Sequence, residues 1–135
     1  MVEMKLSKIV INETTDQQVI VLVEAGGERS FPIMIGPYEA LAIRRGVREE
    51  ATPRPLTHDL LLSVIRSLSD GLDHVEITEL KNHTFYANLL VKQNGRIVAI
   101  DARPSDAIAL AVAVRCRILC HEDVLNEVVQ EPPAP

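Results

Sequence analysis

The sequence predicts an α+β domain: an internally duplicated β-β-β-α-α unit with pseudo-twofold symmetry and a curved mixed sheet. Three observations point there. First, an offset of 67 residues carries Pro37 onto Pro104 and lays Val19–Arg48 over Tyr86–Arg115 without a gap. Leu22/Leu89, Arg29/Arg96, Ile33/Ile100, Pro37/Pro104, Ala40/Ala107, Ala42/Ala109, Val47/Val114 and Arg48/Arg115 coincide. Chance at ordinary composition gives about two such matches. Second, β-branched runs of strand length come in threes, and helix-length segments follow each set. Third, Asp106–Val114 is apolar all round and must be enclosed by its neighbours. A period this long is one duplicated supersecondary unit, not a solenoid. The single domain spans residues 1–130, with halves at about 2–70 and 73–130, and 131–135 form a disordered Pro-rich tail.

In the first half, Val2–Ile11 and Gln18–Val23 read as strands joined through the polar stretch Asn12–Asp16. Gly26-Gly27 turns the chain into a third strand, Ser30–Ile35. Gly36-Pro37 stops that strand and opens a helix, because proline in the first turn lacks only an N–H that has no partner there. The helix runs through Tyr38–Arg45, and Gly46 is expected to end it. A charged loop with Pro53 and Pro55 leads to a second helix, Thr57–Leu68, capped by Thr57 with Asp59 in its first turn.

The second half reads as strands Val75–Leu80, Phe85–Lys92 and Ile97–Ala102. Asn94-Gly95 between apolar runs is the strongest hairpin signal in the chain. Pro104 or Ser105 opens the helix Asp106–Val114, whose alanines permit close approach to its duplicate, the sheet or a second subunit. A short strand Ile118–Leu119 and a helix from Glu122 to Val129 complete it.

Composition narrows the function classes. Hydrophobic residues make up 47% and aromatics 3%, so the core is built from Val, Ile, Leu and Ala. No apolar run approaches the ~20 residues of a membrane span. The N-terminus carries Glu3 and Lys5 without a signal-peptide apolar region. Cys116 and Cys120 make no disulfide framework, and C-x3-C-H fits no usual zinc spacing. A cytoplasmic protein is expected. The net charge of −5 opposes phosphate binding unless cations concentrate locally, as Arg44, Arg45, Arg48 and Arg54 do. Phosphate-binding loops, dinucleotide fingerprints and nucleophile elbows are absent from the sequence, and the aromatics are too scattered for a base-stacking platform. His74 and His83 fall in expected turns with no assigned role.

The two copies differ at informative places. Met34, Gly36 and Tyr38 of the first become Asp101, Arg103 and Ser105 of the second. Two polar clusters result, Arg54-Pro55-Leu56-Thr57-His58-Asp59 and Asp101-Ala102-Arg103-Pro104-Ser105-Asp106. Each offers an Arg, carboxylates and helix-start N–H groups, and the duplication allows them to face each other. As a polyanion site, Arg and helix N-termini hold phosphate, carboxylates hold Mg²⁺ or Mn²⁺, and His58 serves as base. As a structural element, the same residues form an Arg–Asp ion-pair and capping network locking the halves together. Residue types alone leave both open.

Three blocks carry a resemblance: Phe31-Pro32-Ile33-Met34-Ile35-Gly36-Pro37-Tyr38-Glu39-Ala40, then Arg54-Pro55-Leu56-Thr57-His58-Asp59-Leu60-Leu61, then Ile100 through Ala111. In this order and at these intervals, from about residue 4 to 128, the chain resembles bacterial members of the bifunctional nuclease domain family. The resemblance implies an α+β domain that associates as a homodimer, with nucleic acid as its partner and hydrolysis of phosphodiester bonds in RNA and/or DNA as its activity. It supplies no catalytic mechanism, so roles are assigned on chemistry. His58, Asp59, Asp101 and Asp106 are the catalytic candidates. Arg54, Arg103 and Ser105 are the phosphate-binding candidates, and Asp101, Asp106 and Glu39 the ligands for Mg²⁺ or Mn²⁺. The alternative is a non-enzymatic dimeric module that recognises a protein partner or a small anionic ligand.

Overall fold

The computed structural model describes residues 1–130. Eleven elements follow in the order β1 (Val2–Val10), β2 (Gln18–Glu24), β3 (Ser30–Ile35), α1 (Pro37–Arg48), α2 (Thr57–Leu68), β4 (Gly71–Lys81), β5 (Thr84–Gln93), β6 (Arg96–Ala102), α3 (Pro104–Val114), β7 (Arg117–Cys120) and α4 (Glu122–Gln130). The strands form one open sheet of order β3-β2-β1-β7-β4-β5-β6. It is mixed: β4 and β7 run parallel, and every other pair is antiparallel. The class is α+β, with antiparallel meanders on either side of β7. The expected Pro-rich tail at 131–135 lies outside the described residues, and no described helix is long and apolar enough to cross a membrane.

The sheet curls. Phe31 on β3 and Phe85 on β5 stack with ring centroids 5.6 Å apart, although five strand steps separate them, about 24 Å in a flat sheet. Ile20, Leu22, Phe31, Val75 and Ile77 are fully or almost fully buried on the concave side. α3 lies against that side on β4 and β5, with α1 beside it. As its all-round apolar sequence requires, α3 buries Pro104, Ser105 and the whole run Ala107–Ala111.

Local chemistry explains most boundaries. Asn94 and Gly95 both take positive φ, the geometry of a two-residue hairpin turn, and so do Asn82 and His83 between β4 and β5. Two helix ends differ from expectation. Gly46 does not terminate α1, which continues to Arg48 and closes on Glu49 in the left-handed conformation. Gly46 instead faces α3, where a Cβ would make ordinary contacts, 3.4 Å from Val112 Cγ1 and 3.6 Å from the Ala113 nitrogen. Thr57 does not cap α2. The cap residue is Leu56, whose backbone N–H donates to the Asp59 carboxylate at 2.9 Å.

Candidate functional site

Gly36-Pro37 and Arg103-Pro104 start α1 and α3 in the same way, with proline in the first turn. The two helices lie side by side and run in the same direction. Arg103 reaches Glu39 at their N-terminal ends, and Arg115 reaches Glu49 at their C-terminal ends. Buried Ala40, Ala42, Ala107 and Ala109 allow this pairing, and it brings the first-turn carboxylates Glu39 and Asp106 to one corner.

Helix α2 adds the third component. It faces inward along His58, Leu62 and Ile65, the last two buried, and this stripe turns the imidazole toward α3. His58 Nε2 lies 2.9 Å from Asp106 Oδ1. Arg103 donates to the same carboxylate, Nε to Oδ2 at 2.8 Å and a terminal nitrogen to Oδ1 at 3.2 Å. Its other terminal nitrogen is 3.6 Å from Glu39. Burial alone would raise the Asp106 carboxyl, but the hydrogen bonds from Arg103 and His58 outweigh it and hold the group below its ordinary value. The same pairing, led by the Asp106 hydrogen bond, raises the Arg103 guanidinium. His58 and Asp106 are about three-quarters covered, whereas the Arg103 side chain is 63% exposed. The corner is thus a half-sheltered imidazole–carboxylate pair beside a cation facing water.

The remaining candidates lie elsewhere. Asp59 is exposed and occupied as the helix cap. Asp101 is exposed on β6 opposite Asn88, on the face away from Ile100 and Ala102. Arg54 is exposed in the loop before α2, where its carbonyl accepts from the Thr52 hydroxyl. Ser105 is buried in the first turn of α3. Of the seven residues nominated for catalysis or phosphate, His58, Arg103 and Asp106 come together, joined by Glu39 from the metal set.

That arrangement does not fit a divalent cation. Arg103 and His58 take both oxygens of Asp106, and Glu39 turns to the same guanidinium. Among the described residues, no three of His, Cys, Asp and Glu gather as ligands. Proton transfer does fit. With Nε2 fixed on Asp106, the Nδ1 of His58 is left to accept a proton, and the carboxylate orients the ring and stabilises its charged form.

A second histidine network lies outside the nominated residues. His74 lies between Asp73, 2.6 Å from Nδ1, and Glu76, 2.8 Å from Nε2. Lys92 pairs with Asp73 at 3.1 Å. The alternation Asp-His-x-Glu was the available clue, hidden because β4 begins four residues before the expected strand. Burial pushes both cysteine thiols up to about 11, which leaves them unreactive at neutral pH.

An α+β domain with a His–Asp–Arg corner at paired helix starts defines a class, and comparison with known proteins supplies the family. Residues 20–132 match the bifunctional nuclease domain. The chain belongs to that family. Two uncharacterized proteins of Mycobacterium tuberculosis, from strains CDC 1551 / Oshkosh and H37Rv, are each 40% identical over 125 residues. The match covers 93% of this chain and 74% of each relative. A rice protein, bifunctional nuclease 2 of Oryza sativa subsp. japonica, is 28% identical over 112 residues, or 80% of this chain and 34% of that protein.

Proposed function

We propose that this protein is a nuclease that hydrolyses phosphodiester bonds of RNA and/or DNA at the corner formed by His58, Asp106 and Arg103. The observation that carries the proposal is the 2.9 Å pairing of His58 with Asp106 beside an exposed guanidinium, in a member of a nuclease-domain family. Arg103 holds the phosphate; planar N–H pairs match phosphate oxygens. His58 takes the proton of the attacking water or ribose hydroxyl through Nδ1, and Asp106 stabilises the imidazolium. Because Arg103 and His58 already occupy Asp106, we read the reaction as independent of the Mg²⁺ or Mn²⁺ expected from sequence. Activity abolished by EDTA and restored by either ion would reverse that point. The direct test compares cleavage of labelled single-stranded RNA and DNA by wild type and His58→Gln at equal melting temperature. Loss in the variant supports the assignment, and equal rates overturn it.

A second reading is favoured by a separate observation. α2 exposes Leu60, Leu61, Val64 and Leu68, and the edge strand β6 exposes Ile97, Val98 and Ile100. Buried together, these surfaces suit a homodimer, and the corner then belongs to a binding module for a protein partner or anionic ligand. Duplication of one ancestral β-β-β-α-α unit is supported by a strand order that has a three-strand meander on each side of β7. A cytoplasmic setting is in keeping with two free, unpaired cysteines.

A further inference from the structure

The side-by-side pairing that gathers the corner at the N-termini of α1 and α3 leaves a second feature at their C-termini. The eleven residues of α3 put the two about 16 Å apart along its axis. At the far end a groove of about 580 Å³ opens against β1, within the size range of small-ligand sites.

Its origin is local. β1 pairs with β7 only through Val2–Met4, so beyond Met4 that side of β1 has no neighbouring strand. A bulge between Leu6 and Lys8 shifts the strand there, and Gly46 presents no side chain from α1. The floor is aliphatic, from Leu6, Ile9, Val47 and Val112. Cations line the same groove: Lys8, Arg44, Arg48 and Arg115. Four cations around one opening in a chain of net charge −5 form a marked local concentration. Two are engaged, Arg48 with Glu50 at 3.7 Å and Arg115 with Glu49. Arg44, half-buried, and Lys8, exposed, pair with no carboxylate among the described residues.

We infer that this groove binds an amphipathic anion, its aliphatic chain on the Leu6–Ile9–Val47–Val112 floor and its anionic head on Arg44 and Lys8. Charge complementarity and the aliphatic floor define the ligand. No aromatic ring lines the groove, so stacked bases gain little there, whereas a hydrocarbon chain gains by burial. A carboxylate or phosphate head matches the fork of Arg44. The site is distinct from the His58 corner and does not rest on the nuclease assignment.

The test uses decanoate and decyl phosphate below their micelle concentrations, titrated into the full chain and followed through its backbone amide resonances. Saturable shifts are expected at residues 6–11, 44–48 and 112–115. Decanol, with the same chain and no charge, is expected to bind at least tenfold more weakly. Arg44→Gln, which breaks no ion pair, keeps the wild-type melting temperature and lowers affinity for the anions at least tenfold. Val47→Glu, on an exposed floor position, abolishes binding. Equal binding of decanol, shifts confined to the α2 stripe, an unchanged affinity in Arg44→Gln, or binding to anionic vesicles without binding of the free amphiphiles would each overturn the proposal.

Discussion

Deleting the Asp106 carboxylate tests how the corner is held. Asp106→Ala removes the acceptor of three contacts, His58 at 2.9 Å and Arg103 at 2.8 and 3.2 Å. The His58 contact is sheltered, and its loss costs about 1 kcal/mol. The Arg103 side chain is mostly exposed, so water screens its contribution to about 0.5 kcal/mol. A first-turn carboxylate also meets the positive end of the α3 dipole, worth about 0.5 kcal/mol. The sum is about 2 kcal/mol, or about 6–8 °C in melting temperature for a chain of this size. The pH dependence identifies the cause. The folded pKa of Asp106 lies below the ordinary 3.8. Its contribution is therefore present above that value and lost as pH falls through the folded pKa. Urea unfolding of both proteins is measured at neutral pH and in steps toward about pH 3. The difference is expected to be about 2 kcal/mol at neutrality and to narrow on acidification. A difference below about 0.5 kcal/mol at neutral pH, or one that fails to narrow as pH falls from about 4 toward about 3, refutes the network as a stabilising element.

Three further outcomes are expected. On His74, burial opposes the charge, but hydrogen bonds to Glu76 and Asp73 outweigh it and raise the pKa above 6.5. That stability is complete below 6.5 and lost as pH rises through the folded pKa, so wild type exceeds His74→Gln by more at about pH 6 than at about pH 8.5 in urea unfolding. At Gly46, a methyl meets Val112 at ordinary contact distance; Gly46→Ala should be neutral or gain up to about 1 kcal/mol in thermal unfolding, while Gly46→Leu forces α1 from α3 and costs about 1–3 kcal/mol. On the exposed face of α2, Leu61→Glu with Leu68→Glu should convert a dimer mass to a monomer mass in sedimentation, and a monomeric wild type removes the dimer.

Signals carried by a few adjacent residues were legible in the sequence. Gly36-Pro37 and Asn94-Gly95 mark a strand end and a hairpin, because each constrains its own backbone. The extent of α2 followed from the Pro53–Pro55 loop before it, although its cap is Leu56 and not Thr57, and the burial of α3 followed from apolar patterning. What was missed depends on partners remote in sequence. Gly46 resembles a helix stop, yet its role is set by Val112 and Ala113 on α3. The start of β4 looks like a turn until β5 and β7 pair with it. The site divides in the same way. His58, Asp106, Arg103 and Glu39 were nominated as residue types at helix starts, and the parallel placement of α1 and α3 brings them together. Strand alternation sends Asp101 to the face opposite Ile100, and the cap geometry of α2 takes Asp59. The groove draws Lys8 and Arg115 from elements far apart in the chain, and only its Arg44–Arg48 part was visible as a local concentration of cations.

The measurement that bears most directly on the nuclease assignment is single-turnover cleavage of one labelled RNA and its DNA counterpart in the presence of EDTA, with wild type, Asp106→Ala and Arg103→Ala purified side by side. Wild type is expected to cleave. Asp106→Ala should lose about 100-fold or more, the usual scale for a disabled acid–base pair, and Arg103→Ala should lose phosphate binding. Equal traces in all three proteins, or no cleavage by wild type with or without Mg²⁺ and Mn²⁺, would contradict a catalytic His58–Asp106 corner and leave it as the lock between α2 and α3.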